Sequence, residues 1–125
     1  MKFLVADDMY TNRLRIVTLL KNMGHTFDEA VNGQDAIEKI VANNYDVVLL
    51  DIEMPIMNGF ETVQHIRNNL DAGKKNVPVV IISSHGSLSY FTDYKTYGYS
   101  CVLKKPFTQE KLEEVLEKLN LTDIS

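Results

Sequence analysis

Residues 47–51 are Val47-Val48-Leu49-Leu50-Asp51, four aliphatic side chains in a row followed at once by a carboxylate. A strand with one solvated face alternates apolar and polar residues, so this unbroken run indicates a parallel strand covered on both faces. Residues 3–6 and 79–82 have the same character, and two further β-branched or aliphatic runs cover residues 25–30 and 101–103. Five strands are therefore predicted.

Apolar residues recur at helical spacing between these runs, which predicts helices that each bury one face. The recurring residues are Leu14, Val17, Leu20 and Met23; Ala36, Ile37, Ile40 and Val41; Phe60, Val63, Ile66 and Leu70; and Leu112, Val115, Leu116 and Leu119. Asn32 and Thr108 are predicted N-caps, and Gly24 and Gly98 fall where helices should end. Residues 88–97 are predicted to be a weak helix because two parallel strands need a crossover between them.

Strand and helix alternate five times along the chain, which favours a doubly wound α/β fold: one five-stranded parallel sheet with five helices divided between its faces. In such sheets, ligands bind beyond the carboxyl ends of the strands. The residues that follow each predicted strand are therefore the first candidates for chemistry.

Length and composition narrow the class of protein. The 125 residues suit one domain, and no linker, repeat or following output domain is expected within residues 1–125. A net charge of −4 argues against direct binding of nucleic acid. The single cysteine, Cys101, excludes an internal disulfide and fits a reducing compartment, and no apolar run is long enough to span a bilayer. A cytoplasmic protein without membrane insertion is expected.

Charged and hydroxyl residues follow the predicted strands: Asp7 and Asp8 the first, Asp51 the third, Ser83 the fourth and Lys105 the fifth. Three carboxylates at one edge would repel one another by about 4 kcal/mol per pair at an effective dielectric near 20, and one lysine offsets only one of them. A site of carboxylate oxygens with this excess negative charge suits Mg²⁺ or Mn²⁺. The sequence therefore predicts a divalent metal site.

Four motifs together resemble the receiver domains of two-component response regulators. They are Asp7-Asp8, the segment of residues 49–59 around Asp51, residues 80–84 with Ser83, and Lys105-Pro106-Phe107. They occur in order at successive strand ends, and the resemblance covers essentially the whole chain. It implies the chemotaxis-type, flavodoxin-like fold with strand order 2-1-3-4-5, and a cis peptide bond before Pro106.

The resemblance also implies the roles of individual acids. Asp51 is implied to be the phosphoacceptor, which takes a phosphoryl group from a phosphohistidine to form 4-aspartylphosphate. Asp8, Asp51 and the backbone carbonyl of Glu53 are implied to bind Mg²⁺, while Asp7 holds a metal-bound water. Such a domain is a regulatory phosphoacceptor with self-catalysed transfer and hydrolysis, not an enzyme that turns over a metabolite.

The remaining site residues and partners follow from the same resemblance. Lys105 is implied to pair with a phosphoryl oxygen, and the Ser83 hydroxyl to bond the phosphoryl group. The implied phosphodonor is a histidine kinase or a histidine phosphotransfer protein. A downstream protein is expected to bind the fourth helix, fifth strand and fifth helix. Tyr90, Tyr94, Tyr97 and Tyr99 are expected either to contribute to this surface, which changes on phosphorylation, or only to cover a small domain.

Two positions depart from the pattern or add to it. Val102 occupies the place where chemotaxis-type receivers usually carry an aromatic residue, which leaves their aromatic switch in question. Glu53, two residues after Asp51, adds negative charge and is expected to affect the dephosphorylation rate.

Three other functions fit the sequence less well. Asp-nucleophile phosphatases carry a second Asp two residues after the nucleophile, where this chain has Glu53. A flavin-binding module would need a hydroxyl-rich phosphate loop, and Asp7-Asp8 would repel that phosphate. A pseudo-receiver that serves only as a docking module is disfavoured because every charged element of the pocket is present.

Overall fold

The computed structural model describes residues 1–84 and 98–121. These residues form five strands, namely β1 (Lys2–Ala6), β2 (Thr26–Ala30), β3 (Val47–Asp51), β4 (Val79–Ser83) and β5 (Cys101–Lys104). Four helices lie in the same part of the chain, namely α1 (Tyr10–Asn22), α2 (Gly33–Ala42), α3 (Gly59–Asn69) and α4 (Gln109–Lys118). The predicted helix at residues 88–97 lies outside the described residues, so the expected total of five helices stays a prediction.

The strands form one parallel sheet in the order β2-β1-β3-β4-β5, as expected. Its register aligns the strand ends that carry the candidate site: Ala6 is opposite Leu50, Asp51 opposite Ile82, and Ser83 opposite Lys104. The side chains of β3 and β4 are buried along their whole length, which confirms the inference drawn from their unbroken apolar sequences.

Both faces of the sheet are covered, and each has its own apolar core. One core packs α2 and α3 against the sheet through residues such as Ile40 and Ile66. The other packs α1 and α4 against the opposite face through residues such as Leu20 and Leu112. The doubly wound α/β fold is therefore confirmed.

Local signals at the helix ends explain where α1, α2 and α4 begin or stop. The side chains of Asn32 and Thr108 each accept a hydrogen bond from the backbone amide three residues later, that of Asp35 and that of Lys111, as predicted for N-caps. After α1, the Gly24 amide donates to the Lys21 carbonyl and the His25 amide to the Leu20 carbonyl. This pair of bonds ends the helix with Gly24 in the left-handed region, at φ 84°.

The prediction of burial is wrong for two residues of the apolar stripes. Leu14 of α1 and Val41 of α2 are exposed, and the buried face of α1 is formed by Ile16, Val17 and Leu20 instead. Apolar spacing alone could not separate Leu14 from Ile16, because α1 carries apolar residues around much of its circumference.

Candidate functional site

The carboxyl edge of the sheet gathers the residues predicted from sequence. Asp7 and Asp8 directly follow β1, while Asp51 is the last residue of β3. One oxygen from each of these carboxylates lies within 4.8 Å of the others. Asp7 and Asp51 are buried whereas Asp8 is exposed, so the cluster opens to solvent on the Asp8 side.

Lys105 supplies the positive charge in this cluster. Its Nζ donates to Oδ1 of Asp51 at 3.2 Å and to Oδ2 of Asp7 at 3.3 Å. The Lys105 amide donates to the Ser83 carbonyl at 2.7 Å, which ties the connection after β5 to the end of β4. The Lys105–Pro106 peptide bond is cis, as the resemblance implied.

Charge is not balanced in the site, because three carboxylates share one ammonium. Burial is the main cause that raises the pKa of Asp51 from its ordinary value of 3.8, and the charges of Asp7 and Asp8 act in the same direction. Lys105 acts in the opposite direction, and the net result is a pKa of about 6. Buried carboxylates without matching cations are unfavourable. The cluster therefore has the chemistry of a divalent cation site, and its hard oxygen donors fit Mg²⁺.

Ser83 and Glu53 lie around the same cavity, which has a volume of about 650 Å³. Ser83 ends β4, is 2% exposed and borders this cavity. Glu53 lies on the loop after β3, two residues beyond Asp51, and is exposed. Asp8, Asp51, Lys105 and these two residues all border one cavity, as expected.

The loop after Asp51 is held close against the site by Gly59. A Cβ at this position would lie 2.5 Å from the Asp51 carbonyl oxygen and 3.0 Å from the Ile52 Cα. The Gly59 amide also donates to the Ile52 carbonyl at 2.8 Å. Only glycine allows α3 to begin this close to the end of β3.

Three features near the site were not predicted. Asn58 caps α3 and forms a reciprocal capping box with Glu61, a pattern that was visible in the sequence as Asn-x-x-Glu. Ile56 adopts φ 73° in the same loop, a left-handed conformation that no sequence signal assigns to a β-branched residue. Arg13 of α1 donates to the Asp7 carbonyl at 2.7 Å, although its place on a helix suggested a surface residue.

The expectation that Tyr99 contributes to a surface is wrong. Tyr99 is 4% exposed and lies in the core with α2 and α3, where its ring centroid is 6.0 Å from that of Phe60. Val102 packs against the same core. The core next to Val102 therefore contains an aromatic ring, and this ring belongs to Tyr99. Tyr90, Tyr94 and Tyr97 lie outside the described residues.

Comparison with known proteins decides the family. The family model of the response regulator receiver domain matches residues 3–117 of this chain. The chain belongs to this family. It is also 35% identical over 112 residues to Protein PilG of Pseudomonas aeruginosa, and the match covers 90% of this chain and 82% of PilG.

Two much longer proteins each contain a segment similar to this chain. The chain is 29% identical over 120 residues to Sensor protein EvgS of Escherichia coli, a match that covers 96% of this chain but only 10% of EvgS. It is also 30% identical over 119 residues to Hybrid signal transduction histidine kinase A of Dictyostelium discoideum, covering 94% of this chain and 6% of that protein. The chain thus spans a tenth or less of these two relatives.

Solved structures agree with the assignment. The chemotaxis protein CheY4 of Vibrio cholerae superimposes with a TM-score of 0.84 at 29% identity, covering 94% of this chain and 96% of that one. The receiver domain of sensor histidine kinase PA1611 from Pseudomonas aeruginosa, solved with a magnesium ion coordinated in its active-site cleft, shares the fold at 20% identity, with a TM-score of 0.83 and coverage of 95% and 97%. The prediction of a chemotaxis-type receiver domain in two-component signalling is confirmed, and the comparisons favour neither the phosphatase nor the pseudo-receiver.

Within the described residues, the receiver domain has no helix that combines the length and the apolar character needed to cross a membrane.

Proposed function

We propose that Asp51 of this receiver domain accepts a phosphoryl group from a phosphohistidine of a histidine kinase or histidine phosphotransfer protein. The observation that carries the proposal is the shared position of Asp7, Asp8, Asp51 and Lys105 at one edge of the sheet. No other group of three His, Cys, Asp or Glu side chains in the described residues has this arrangement.

Asp51 is the best placed nucleophile. Its carboxylate would attack phosphorus as the phosphorus–nitrogen bond of the donor breaks, with the bonding electrons leaving on the imidazole nitrogen. Its pKa of about 6 leaves it mostly ionised at neutral pH while keeping it basic for a carboxylate. Phosphoryl transfer needs mainly in-line positioning and stabilisation of spread negative charge, and the buried, anchored Asp51 meets the first need.

Lys105 and Ser83 would provide part of the stabilisation of the spread negative charge. The ammonium of Lys105 already lies 3.2 Å from Asp51, so it can pair with a phosphoryl oxygen after transfer. Ser83 borders the same cavity at the end of β4, where its hydroxyl would donate to another phosphoryl oxygen. We expect autodephosphorylation at the same site, and we expect Glu53 to alter its rate.

Asp8 and Asp51 would hold Mg²⁺ together with the Glu53 carbonyl, Asp7 would hold a metal-bound water, and Mn²⁺ has the same preference for oxygen donors. When bound, the ion supplies positive charge that offsets the carboxylates and the phosphoryl oxygens. The magnesium ion in the cleft of the PA1611 receiver domain supports this assignment.

A protein surface for output is also proposed. Two of its three expected elements are described, namely β5 and α4, which is the helix predicted as the fifth along the chain. The predicted fourth helix, at residues 88–97, lies outside the described residues. Lys105 lies directly between β5 and α4, so a change in its partner on phosphorylation acts on the backbone that joins them. We further propose that residues 1–125 form a single receiver domain of a cytoplasmic protein, since the family match spans residues 3–117.

The experiment is labelling with acetyl phosphate and Mg²⁺, followed by intact-mass measurement. Wild type is expected to gain one phosphoryl group, Asp51→Asn none, and a chelator should abolish labelling. Asp46→Asn is the matched control, because Asp46 precedes the same strand at the opposite edge of the sheet. An adduct on Asp51→Asn would reject the acceptor, and labelling that survives the chelator would reject the metal.

A further inference from the structure

Asp7 is held by four hydrogen bonds that together fix both its backbone and its side chain. Its amide donates to the Ala30 carbonyl at 3.1 Å. Its Oδ1 accepts from the Met9 amide at 2.9 Å, and its Oδ2 from Lys105 at 3.3 Å. The fourth bond comes from Arg13, whose Nη1 donates to the Asp7 carbonyl at 2.7 Å. This last bond fixes the peptide group that joins Asp7 to Asp8.

Arg13 is itself held in place. Its side chain is only 11% exposed, its Nε donates to Oε1 of Glu29 at 3.1 Å, and its guanidinium lies over the Tyr10 ring at 5.8 Å from the centroid. The planar guanidinium therefore links the end of β1 to the end of β2. Because Glu29 is more exposed, its ion pair with Arg13 contributes little, and the bond to the Asp7 carbonyl is the stronger constraint.

The Asp8 side chain depends on this peptide group. Across residues 1–84 and 98–121, no side-chain hydrogen bond was found to hold the Asp8 carboxylate. The position from which this side chain extends is therefore set by the peptide group that precedes it. A rotation of the Asp7–Asp8 peptide would move the Asp8 oxygens relative to those of Asp7 and Asp51, which now lie within 4.8 Å of one another.

We propose that Arg13 is a positioning residue for the carboxylate cluster: by holding the Asp7 carbonyl, it sets the spacing of Asp7 and Asp8 for a divalent cation. This inference rests on the proposed function, since it assumes that the cluster binds Mg²⁺. Residues that orient metal ligands in other proteins change metal affinity by about 10–100-fold when mutated.

The test measures Mg²⁺ affinity by calorimetry for wild type, Arg13→Ala, Arg13→Lys and Glu29→Gln. Arg13→Ala is expected to weaken binding about tenfold, at the lower end of that range. Arg13→Lys should lose nearly as much, because an ammonium cannot replace the two directed bonds of the guanidinium. Glu29→Gln should weaken binding by less, because the bond to Asp7 remains. Lys21→Ala, which removes an exposed cation from the far end of α1, should leave affinity unchanged.

Labelling with acetyl phosphate adds a second readout. The Mg²⁺ concentration for half-maximal labelling should rise in Arg13→Lys by the same factor as its loss of affinity, while the maximal rate at saturating Mg²⁺ stays close to that of wild type. Full recovery of affinity in Arg13→Lys would show that only charge matters and would overturn the inference. Unchanged affinity in Arg13→Lys and Glu29→Gln would also overturn it, even if Arg13→Ala does not fold. A wild type that binds no Mg²⁺ would instead overturn the proposed function, and this inference with it.

Discussion

At the amino edge of the sheet a half-buried cation is matched by several acceptors, whereas at the carboxyl edge three carboxylates share one cation. Arg67, near the end of α3, donates to the carbonyls of Gly98, Lys75 and Val77 at 2.7–2.8 Å. Burial lowers the pKa of Arg67 from its ordinary value, but an arginine remains charged in proteins. These bonds join α3 to the segments that lead into β4 and β5.

The carboxyl edge has the opposite balance. Asp7, Asp8 and Asp51 lie together with Lys105 as their hydrogen-bonding cation, and burial raises the pKa of Asp51. Removing charge from the two edges should therefore change stability in opposite directions. The comparison indicates that one edge stabilises the fold and that the other keeps unfavourable charge available for a ligand.

The largest expected effect is at the amino edge. Arg67→Ala should lower the free energy of unfolding by about 3 kcal/mol, because the partly buried carbonyls of Gly98 and Val77 and the exposed carbonyl of Lys75 lose charged donors. Each hydrogen bond to a charged group contributes about 1.5–3 kcal/mol without full additivity. Urea denaturation measures the change. Arg15→Ala, which removes an exposed arginine from α1, should change stability by less than about 0.5 kcal/mol. Equal stability of the two variants would show that water replaces Arg67 without loss.

This edge also shows what the sequence could not predict. The strands followed from unbroken apolar runs such as residues 47–50, and the site from the acids and the lysine directly after them, because parallel topology brings strand ends together. Arg67 gave no such signal: its partner Gly98 is 31 residues away, and a helical arginine is usually solvated. The contact of Arg13 with Asp7 was missed for the second of these reasons only, because Asp7 is just six residues away.

The error at Tyr99 has a different origin. Tyrosine carries a large apolar ring and a polar hydroxyl, so residue type does not decide between core and surface. Tyr99 follows Gly98, whose φ of 90° turns the chain into β5, and this turn accompanies burial of the ring in the core with α2 and α3. The direction of that turn depends on tertiary packing, which the local sequence does not specify.

The second effect is at the carboxyl edge and has the opposite sign. Without metal at pH 7.5, Asp51→Asn should raise the free energy of unfolding by up to about 3 kcal/mol, because each unit of pKa displacement corresponds to about 1.4 kcal/mol and the pKa of Asp51 is raised from 3.8 to about 6. Thermal or urea denaturation in chelator measures it. A loss of stability in this variant would refute the assigned charge imbalance.

The same substitution gives a pH test. The folded protein holds the Asp51 proton more tightly than the unfolded chain, so ionisation is destabilising above pH 6, and this penalty disappears as the pH falls from about 6 towards 3.8. The stability difference between wild type and Asp51→Asn should therefore shrink over that range. Mg²⁺ at neutral pH should stabilise wild type more than the variant, because binding to the folded state alone adds to its stability. A difference that does not depend on pH would contradict the titration of Asp51.

The smallest expected effect concerns the loop after Asp51, where Ile56 is 79% exposed and has φ 73°. A left-handed conformation costs about 1–2 kcal/mol for an L-residue, least for Asn. Asn120, which follows α4 at φ 57°, shows the residue type that suits this conformation. Ile56→Asn should therefore raise the free energy of unfolding by about 1 kcal/mol, measured by urea denaturation, with labelling by acetyl phosphate unchanged.

Val41→Asn is the matched control for Ile56→Asn, because Val41 is 58% exposed but lies in α2. Valine and asparagine have similar helix propensities, so this variant should differ from wild type by only a few tenths of a kcal/mol. A gain at both positions would mean that removing an exposed apolar side chain is itself stabilising, and the backbone of Ile56 would then explain nothing. A gain in stability at Ile56 alone would show that backbone strain destabilises the carboxyl edge in addition to charge repulsion, whereas the amino edge has stabilising contacts.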